Sequence, residues 1–481
     1  MGLNPVRPTL SAMDAERAGR IAVLSPQRER LAIVSTRHKL CGIAAYTAAL
    51  ERQLADIFDV TVFDLDQYLL RGQHPRVRGL GDRHIKDICQ ELADFDAVNL
   101  QLEYGTLGVA RKDIHRRFSW LAAAAPRLSV TLHSLKRPPT FDFGEFATSI
   151  FTLDWGGAFE IAASFNYDKK LSFGIARQLR RMQRRKPVSV IVHNRRDRAD
   201  AQHLHGLDRV FDHPLAFLSR DEAEAINKHA SRRRFPTLDR LPADTVLIGI
   251  FGFLNDYKGF GSVIRALHHI PENFHLLIFG GTHPNEILLN HPIHPYIASL
   301  HREGNIDSTL YEQILASPNR AGISLALDIE KQVKDLLGNH PRDLSHRIHF
   351  MGALDDDDFL TGMAICDAVV FPYLEVGQSA SGPISQAVEL GSRIIASRTH
   401  TFLQFAAYHP KTIELFDIGN HLELAERITA RPQYARRETP GYNIETNKAV
   451  YLAANSAPDA GTQRFRRRAR PPLTDRQAEI G

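Results

Sequence analysis

The sequence predicts an α/β chain built as two Rossmann-like αβα domains in tandem, with a deep cleft between them. Three observations carry that prediction. The chain has 481 residues, 43% of them hydrophobic, which is too long for one ordinary core. Short apolar runs alternate with longer amphipathic segments, the rhythm of parallel strands covered by helices on both faces. That rhythm stops over FPTLDRLPAD (235–244), which holds two prolines and reads as a linker, and then starts again.

In the first half, LAIVS (31–35) reads as a buried strand and IAAYTAALERQLAD (43–56) as a helix. VTVFDL (60–65), AVNLQLE (97–103), LSVTLH (128–133) and PVSVIVH (187–193) read as further strands. Helices HIKDICQELAD (84–94) and ARKDIHRRFSWLAAAA (110–125) separate them, and a long basic helix precedes the last. In the second half the strands are VLIGIFGF (246–253), HLLIFG (275–280), RIHFMG (347–352), DAVVFPY (367–373) and RIIAS (393–397), with helices near 259–268 and over 324–338. The expected organisation is a flexible extension over 1–28, domains over 29–240 and 245–433, a helical segment over 434–455 and a disordered basic tail over 456–481. Open parallel sheets bind ligands outside the carboxyl ends of their strands, so two in tandem place a ligand cleft between them.

Composition narrows the function classes. The N-terminal MGLNPVRPTLSAMDAERAGR carries no apolar signal core, and no run reaches the length of a membrane span. Cys41, Cys89 and Cys366 lie far apart and form no CxxC pair, which fits a reducing, cytoplasmic setting. Residues 1–240 hold 38 Lys and Arg against 28 Asp and Glu, a net +10, whereas residues 241–481 are net −5. A split of this kind suggests an anionic partner for the first half. An anionic membrane surface met peripherally by Arg177, Arg180, Arg181, Arg184, Arg185 and Lys186 is one candidate. Nucleic acid is not expected, since no nucleic-acid motif accompanies the charge.

Two segments carry chemistry. In DAVVFPYLEVGQSASGPISQAVELG (367–391) a strand ends at Pro372-Tyr373, a loop of small residues follows, and a helix opens at Pro383. The free N–H groups of such a helix start suit a diphosphate, and Glu389, two turns in, is placed to accept from ribose hydroxyls. In IFGFLNDYKG (250–259), Gly252 ends a strand and Lys258 stands at the mouth of the cleft as a point charge for phosphate. No metal is expected. Asp64 and Asp66 have a DxD spacing in the wrong architecture, Asp355–Asp358 read as acids favoured by a helix dipole, and no HxxxH or HExxH pair occurs.

Together these segments, with CGIAAYTAAL (41–50), NLQLEYGTLG (99–108), VTLHS (130–134), IFGGTHP (278–284) and RIHFMGAL (347–354), resemble the retaining GT-B glycosyltransferases of family four over roughly residues 30–430. The resemblance implies an acceptor-side first domain and a nucleotide-sugar-binding second domain. It places Gly42 in a glycine loop near the donor's diphosphate and sugar, His133 beside the transferred sugar, and Glu103 on the acceptor side. Gly252 and Lys258 fall in the donor's phosphate site. Ser379, Ser381 and Gly382 match the loop that wraps the donor, and Glu389 the ribose-holding second glutamate of a paired motif. Two departures stand out: Ser381 occupies the first glutamate's place, eight residues before Glu389, and Phe253 the place of an arginine. The implied function is metal-independent, retaining transfer of a sugar from a GDP- or UDP-linked donor to a saccharide or lipid-linked acceptor, in cell-surface polysaccharide or glycolipid synthesis. A sugar-nucleotide epimerase, a phosphorylase and a non-catalytic saccharide-binding protein are the alternatives.

Overall fold

The computed structural model describes residues 28–37, 41–135, 143–152, 154–281, 296, 299–300, 344–434 and 440–456. Residues 1–27, the helix expected over 324–338 and the tail from 457 lie outside the described residues.

Among the described residues the strands form two six-stranded sheets. The first contains β1 (Arg30–Ser35), β2 (Asp59–Asp64), β3 (Ala97–Leu102), β4 (Leu128–Leu132), β5 (Val188–Val192) and β6 (Val210–Asp212), in the order 2-1-3-4-5-6. The second contains β7 (Val246–Phe251), β8 (Phe274–Phe279), β9 (Ile348–Gly352), β10 (Ala368–Phe371), β11 (Ile394–Ser397) and β12 (Ile413–Phe416), in the order 12-11-10-7-8-9. Every pairing is parallel. Each sheet therefore has a point where the strand order reverses, between β1 and β3 and between β7 and β10, and there the crossover helices diverge to opposite faces and leave a crevice.

Local chemistry sets the elements that reach this crevice. Helix α1 (Gly42–Leu54) follows β1 and is capped by the Cys41 thiol, which accepts from the Ala44 N–H at 3.4 Å. Helix α2 (Trp155–Gln183) runs back from the carboxyl edge of the first sheet to its amino edge, where β5 begins. Its Arg177, Arg180, Arg181, Arg184 and Arg185 are exposed at that far end, whereas Lys186 is engaged by the Ala122 and Ala125 carbonyls. Helix α3 (Gly382–Glu389) follows β10 and carries Pro383 in its first turn. Helix α4 (Ile444–Asn455) leaves the second lobe and lies on the first sheet, where Tyr451 and Asn455 reach side chains of β3 and β4.

The lobes share a core. Tyr46 and Phe217 from the first pack with Ile384, Ala387 and Val388 of α3 in one cluster. The segment read as a linker joins it: Pro236 opens a short helix to Asp239, and Phe235 and Leu238 are buried. Proline at a helix start accounts for the difference, because it breaks a strand pattern yet nucleates a turn.

One glycine fixes the approach to the crevice. Gly259 sits at φ 68°, and a Cβ there would stand 2.0 Å from the Pro372 carbonyl oxygen. Gly259→Ala is expected to destabilise the protein by at least about 1–3 kcal/mol through left-handed strain alone, with the clash added. A thermal unfolding midpoint equal to wild type would contradict this.

Candidate donor site

A cavity of about 500 Å³ opens between the lobes, a volume suited to a small-molecule ligand. Its walls come from the segments that follow β1, β7, β8 and β10, so it stands at the switch points of both sheets. Cys41 and Gly42 bring the start of α1 to it, and Ser381, Gly382 and Pro383 bring the start of α3. Ser381 occupies the capping position of α3 without a side-chain cap bond. Two helix N-termini thus converge on one space, and each carries partial positive charge and N–H donors.

Lys258 supplies the full charge. It is buried, and its Nζ donates to the Tyr373 hydroxyl at 2.5 Å and stands 3.9 Å above the Tyr373 ring centroid. The Tyr373 hydroxyl also meets Ser381 Oγ at 3.1 Å, so lysine, tyrosine and loop form one chain. Gly252, at φ 122°, leaves room beside the lysine, whose ammonium lies 3.5 Å from where a Cβ would stand. Burial pushes the ammonium's pKa down to about 7. No carboxylate is paired with Lys258 in any described salt bridge. A buried cation without an anion is costly, and an arriving phosphate would relieve that cost.

Five of the expected donor residues, Gly42, Gly252, Lys258, Ser381 and Gly382, therefore line a single cavity. Two do not. Ser379 is buried between the lobes, where its Oγ accepts from the Leu135 N–H at 3.1 Å and its carbonyl accepts from Asn194 Nδ2 at 2.9 Å. It ties the loop to the first lobe. Glu389 accepts from the Phe217 and Leu218 N–H groups at 2.8 and 3.1 Å. Burial raises its pKa to about 8 against the lowering effect of those two bonds. It faces a separate space of about 730 Å³, whose neighbouring helix starts are already capped by Ser219 and Asn443. Its carboxylate holds the backbone of Phe217, a wall of the 500 Å³ cavity, from behind.

Gln378 and Gln386 line the same cavity as Lys258, eight residues apart in the loop and helix. Gln378 Oε1 is buried without a hydrogen-bond partner among the described residues. The signal was present in the sequence as a spacing of eight carried by amides in place of carboxylates.

The residues expected on the acceptor side sit on the first lobe. Glu103 follows β3 and accepts from Ser134 Oγ. His133 follows β4, and its Nε2 meets Gln101 Oε1 at 2.8 Å. Its ring lies 5.1 Å from that of His193 and edge-on to Tyr46. Burial first, and His193 second, hold the pKa of His133 well below the usual histidine range. His133 and Glu103 are not among the cavity's lining residues. His193 is buried with its pKa lowered to about 4, and His213 is bonded to the Pro214 carbonyl and Thr446.

The acids that resemble metal ligands have other work. Asp66 caps a helix through the Tyr68 N–H at 2.8 Å, and Asp64 accepts from the Arg37 N–H at 2.7 Å. Asp355 caps its helix through the Asp358 N–H, and Asp358 pairs with Arg234. Among the described residues no group of three or more His, Cys, Asp or Glu is placed to hold a metal ion. No described helix is long and apolar enough to cross a membrane.

No family model matches the sequence, and no curated protein matches it. Solved structures do. A sucrose-phosphate synthase from Thermosynechococcus elongatus is 15% identical, with 92% of this chain and 99% of that chain covered and a TM-score of 0.51. An alpha,alpha-trehalose-phosphate synthase (UDP-forming) from Burkholderia vietnamiensis is 11% identical over 91% of this chain and 100% of that one, with a TM-score of 0.50. An alpha,alpha-trehalose 6-phosphate synthase from Burkholderia multivorans is 11% identical over 92% and 97%, also at 0.50. The likeness shows the fold: this chain has the GT-B architecture of those glycosyltransferases, two Rossmann-like domains facing across a cleft.

The lysine gives a test of the site's electrostatics. Its folded pKa of about 7 lies below the ordinary value of 10.5. Between those values the unfolded state binds more protons, so wild type should gain stability as pH rises from 7 to 10.5, at up to about 1.4 kcal/mol per pH unit. Lys258→Met should lack this component. Equal pH dependence of the two unfolding midpoints would count against a buried, destabilised ammonium.

Proposed function

We propose that the chain transfers a sugar from a nucleoside diphosphate sugar to an acceptor hydroxyl, with retention of anomeric configuration. The observation that carries the reading is the convergence of Lys258 and two helix N-termini on one cavity between the lobes. Breaking a glycosyl–phosphate bond leaves positive charge on the sugar and negative charge on the diphosphate. Preorganised donors aimed at the diphosphate lower that barrier. In this reading Gly42, Gly252, Lys258, Ser381 and Gly382 hold the donor, with Gln386 and Gln378 supplying neutral hydrogen-bonding groups to its hydroxyls. His133 and Glu103 stand on the acceptor side. Charge neutralisation by lysine and helix termini requires no metal, so activity should persist in a chelator. Complete loss of activity in EDTA, restored by manganese, would reverse that.

The acceptor class is a saccharide or lipid-linked saccharide, in cell-surface polysaccharide or glycolipid synthesis. One matched structure is named as UDP-forming, so UDP-sugars head a donor panel that also includes GDP-, ADP- and dTDP-sugars. Peripheral contact with an anionic membrane would use the exposed arginines of α2, which stand at the end of the first lobe remote from the cleft. Equal sedimentation with neutral and anionic vesicles would remove that contact from the proposal.

Ligand binding distinguishes the donor site from its surroundings. At pH 8 the diphosphate should draw a proton onto Lys258, and calorimetry in buffers of different ionisation enthalpy should detect the uptake in wild type and not in Lys258→Met. Gln386→Ala should raise donor KM about tenfold, the scale of one hydrogen bond to a polar ligand group, whereas Glu389→Gln, which loses one of two backbone bonds behind the cavity wall, should raise it less. The reverse ranking would return the ribose to Glu389.

A further inference from the structure

The polar face under helix α4 contains a chain of hydrogen bonds whose direction is fixed from one end. Asn455, the last residue of α4, donates from Nδ2 to the Tyr451 carbonyl at 2.8 Å. A carbonyl only accepts, so the opposite amide orientation would set two oxygens that far apart. Asn455 Oδ1 must then face Ser129 Oγ, at 2.7 Å, and take its proton. Ser129 Oγ, having donated, accepts from Asn99 Nδ2 at 2.7 Å. Asn99 Oδ1 is thereby turned toward Gln101, which donates from Nε2 at 2.5 Å. Gln101 Nε2 also points at Thr131 Oγ1 and the Tyr451 hydroxyl, at 3.2 and 3.3 Å. Gln101 Oε1 is left facing His133 Nε2 at 2.8 Å. An amide oxygen only accepts, so His133 Nε2 carries the proton.

We infer that Asn455 is a positioning residue that fixes His133 as its Nε2–H tautomer through Ser129, Asn99 and Gln101, so that His133 offers a substrate hydroxyl only an accepting nitrogen, Nδ1. Among the described hydrogen bonds the His133 ring takes part through Nε2 alone. His133 as a residue is partly exposed after β4, at the carboxyl edge of the first sheet where ligands bind. The depressed basicity of the ring, from burial and His193, keeps it neutral, which leaves Nδ1 a bare lone pair. Ser129, Asn99 and Asn455 are fully buried, so water does not compete for the links that set the direction. The tautomer follows from this geometry alone. Its use against a substrate hydroxyl rests on the function proposed above.

The test is long-range proton–nitrogen correlation on the full chain labelled with 15N-histidine. Wild type should show His133 with a protonated Nε2 and a bare Nδ1. Asn455→Leu frees the Ser129 hydroxyl, so Asn99 and Gln101 can both turn over and the Nδ1–H form should appear beside the Nε2–H form. Ser129→Ala breaks the same chain with a smaller change and carries the test if Asn455→Leu fails to fold. In both variants kcat for transfer should fall in proportion to the Nε2–H fraction, about twofold when the two forms are equal, with donor KM unchanged. A pure Nε2–H ring in both variants would overturn the directional chain, whatever the activity. A mixed ring with unchanged kcat would overturn the use of the tautomer while leaving the chain in place.

Discussion

The structure depends on how the first sheet disposes of a polar face. Asn99 and Gln101 of β3 stand opposite Ser129 and Thr131 of β4 in register, and all four are fully buried. Each such group left without a partner would cost about 1–3 kcal/mol. The partners come from helix α4, whose Tyr451 and Asn455 meet them within ordinary hydrogen-bond distance. Around this contact Asn447 bonds to Gln53 at 2.9 Å and Lys448 pairs with Asp56 at 2.5 Å. A helix that must complete the first lobe while belonging in sequence to the end of the second holds the two lobes together beneath the cleft.

The cleft inherits its geometry from that tie. Ser379 binds the loop of the second lobe to Leu135 and Asn194 of the first, and Glu389 grips the backbone of Phe217 and Leu218. These contacts set the starts of α1 and α3 facing each other, with Lys258 between them. The second lobe supplies Lys258 and the start of α3 to the cavity, and inter-lobe packing adds the start of α1. The surplus of basic residues in the first half contributes little to the positive field there, because the exposed arginines of α2 gather at the opposite end of that lobe.

Most of the fold was legible in the sequence. Ten of the twelve strands show as apolar runs because a strand in a parallel sheet covered on both faces is apolar on both. Of the remaining two, β6 has three residues, too few for a pattern, and β12 carries Glu414 inside its four. AVNLQLE and LSVTLH were read as plain apolar strands, although their polar residues alternate with period two. That alternation ordinarily marks a solvated face, and here it marks a face covered from the far end of the chain, which local pattern does not reveal. Gly42, Gly252, Gly382 and Lys258, read together from the sequence, line one cavity. Helical phase separates the residues of α3. Gln386 and Glu389 are three residues apart on one helix, a step of about 4.5 Å along the axis and about 60° around it, enough to move a side chain from the donor cavity to the far side of Phe217.

The contact between α4 and the first sheet also bears on how the polypeptide is made. The last strand of the first sheet ends at Asp212, whereas the helix that covers its polar face ends at Asn455. A ribosome adding about 5–20 residues per second needs on the order of ten seconds or more to cross that interval. For all of that time the nascent first lobe lacks the partners of Asn99, Gln101, Ser129 and Thr131. Its folding is therefore completed only after Asn455 has left the exit tunnel, behind all the described strands of the second lobe.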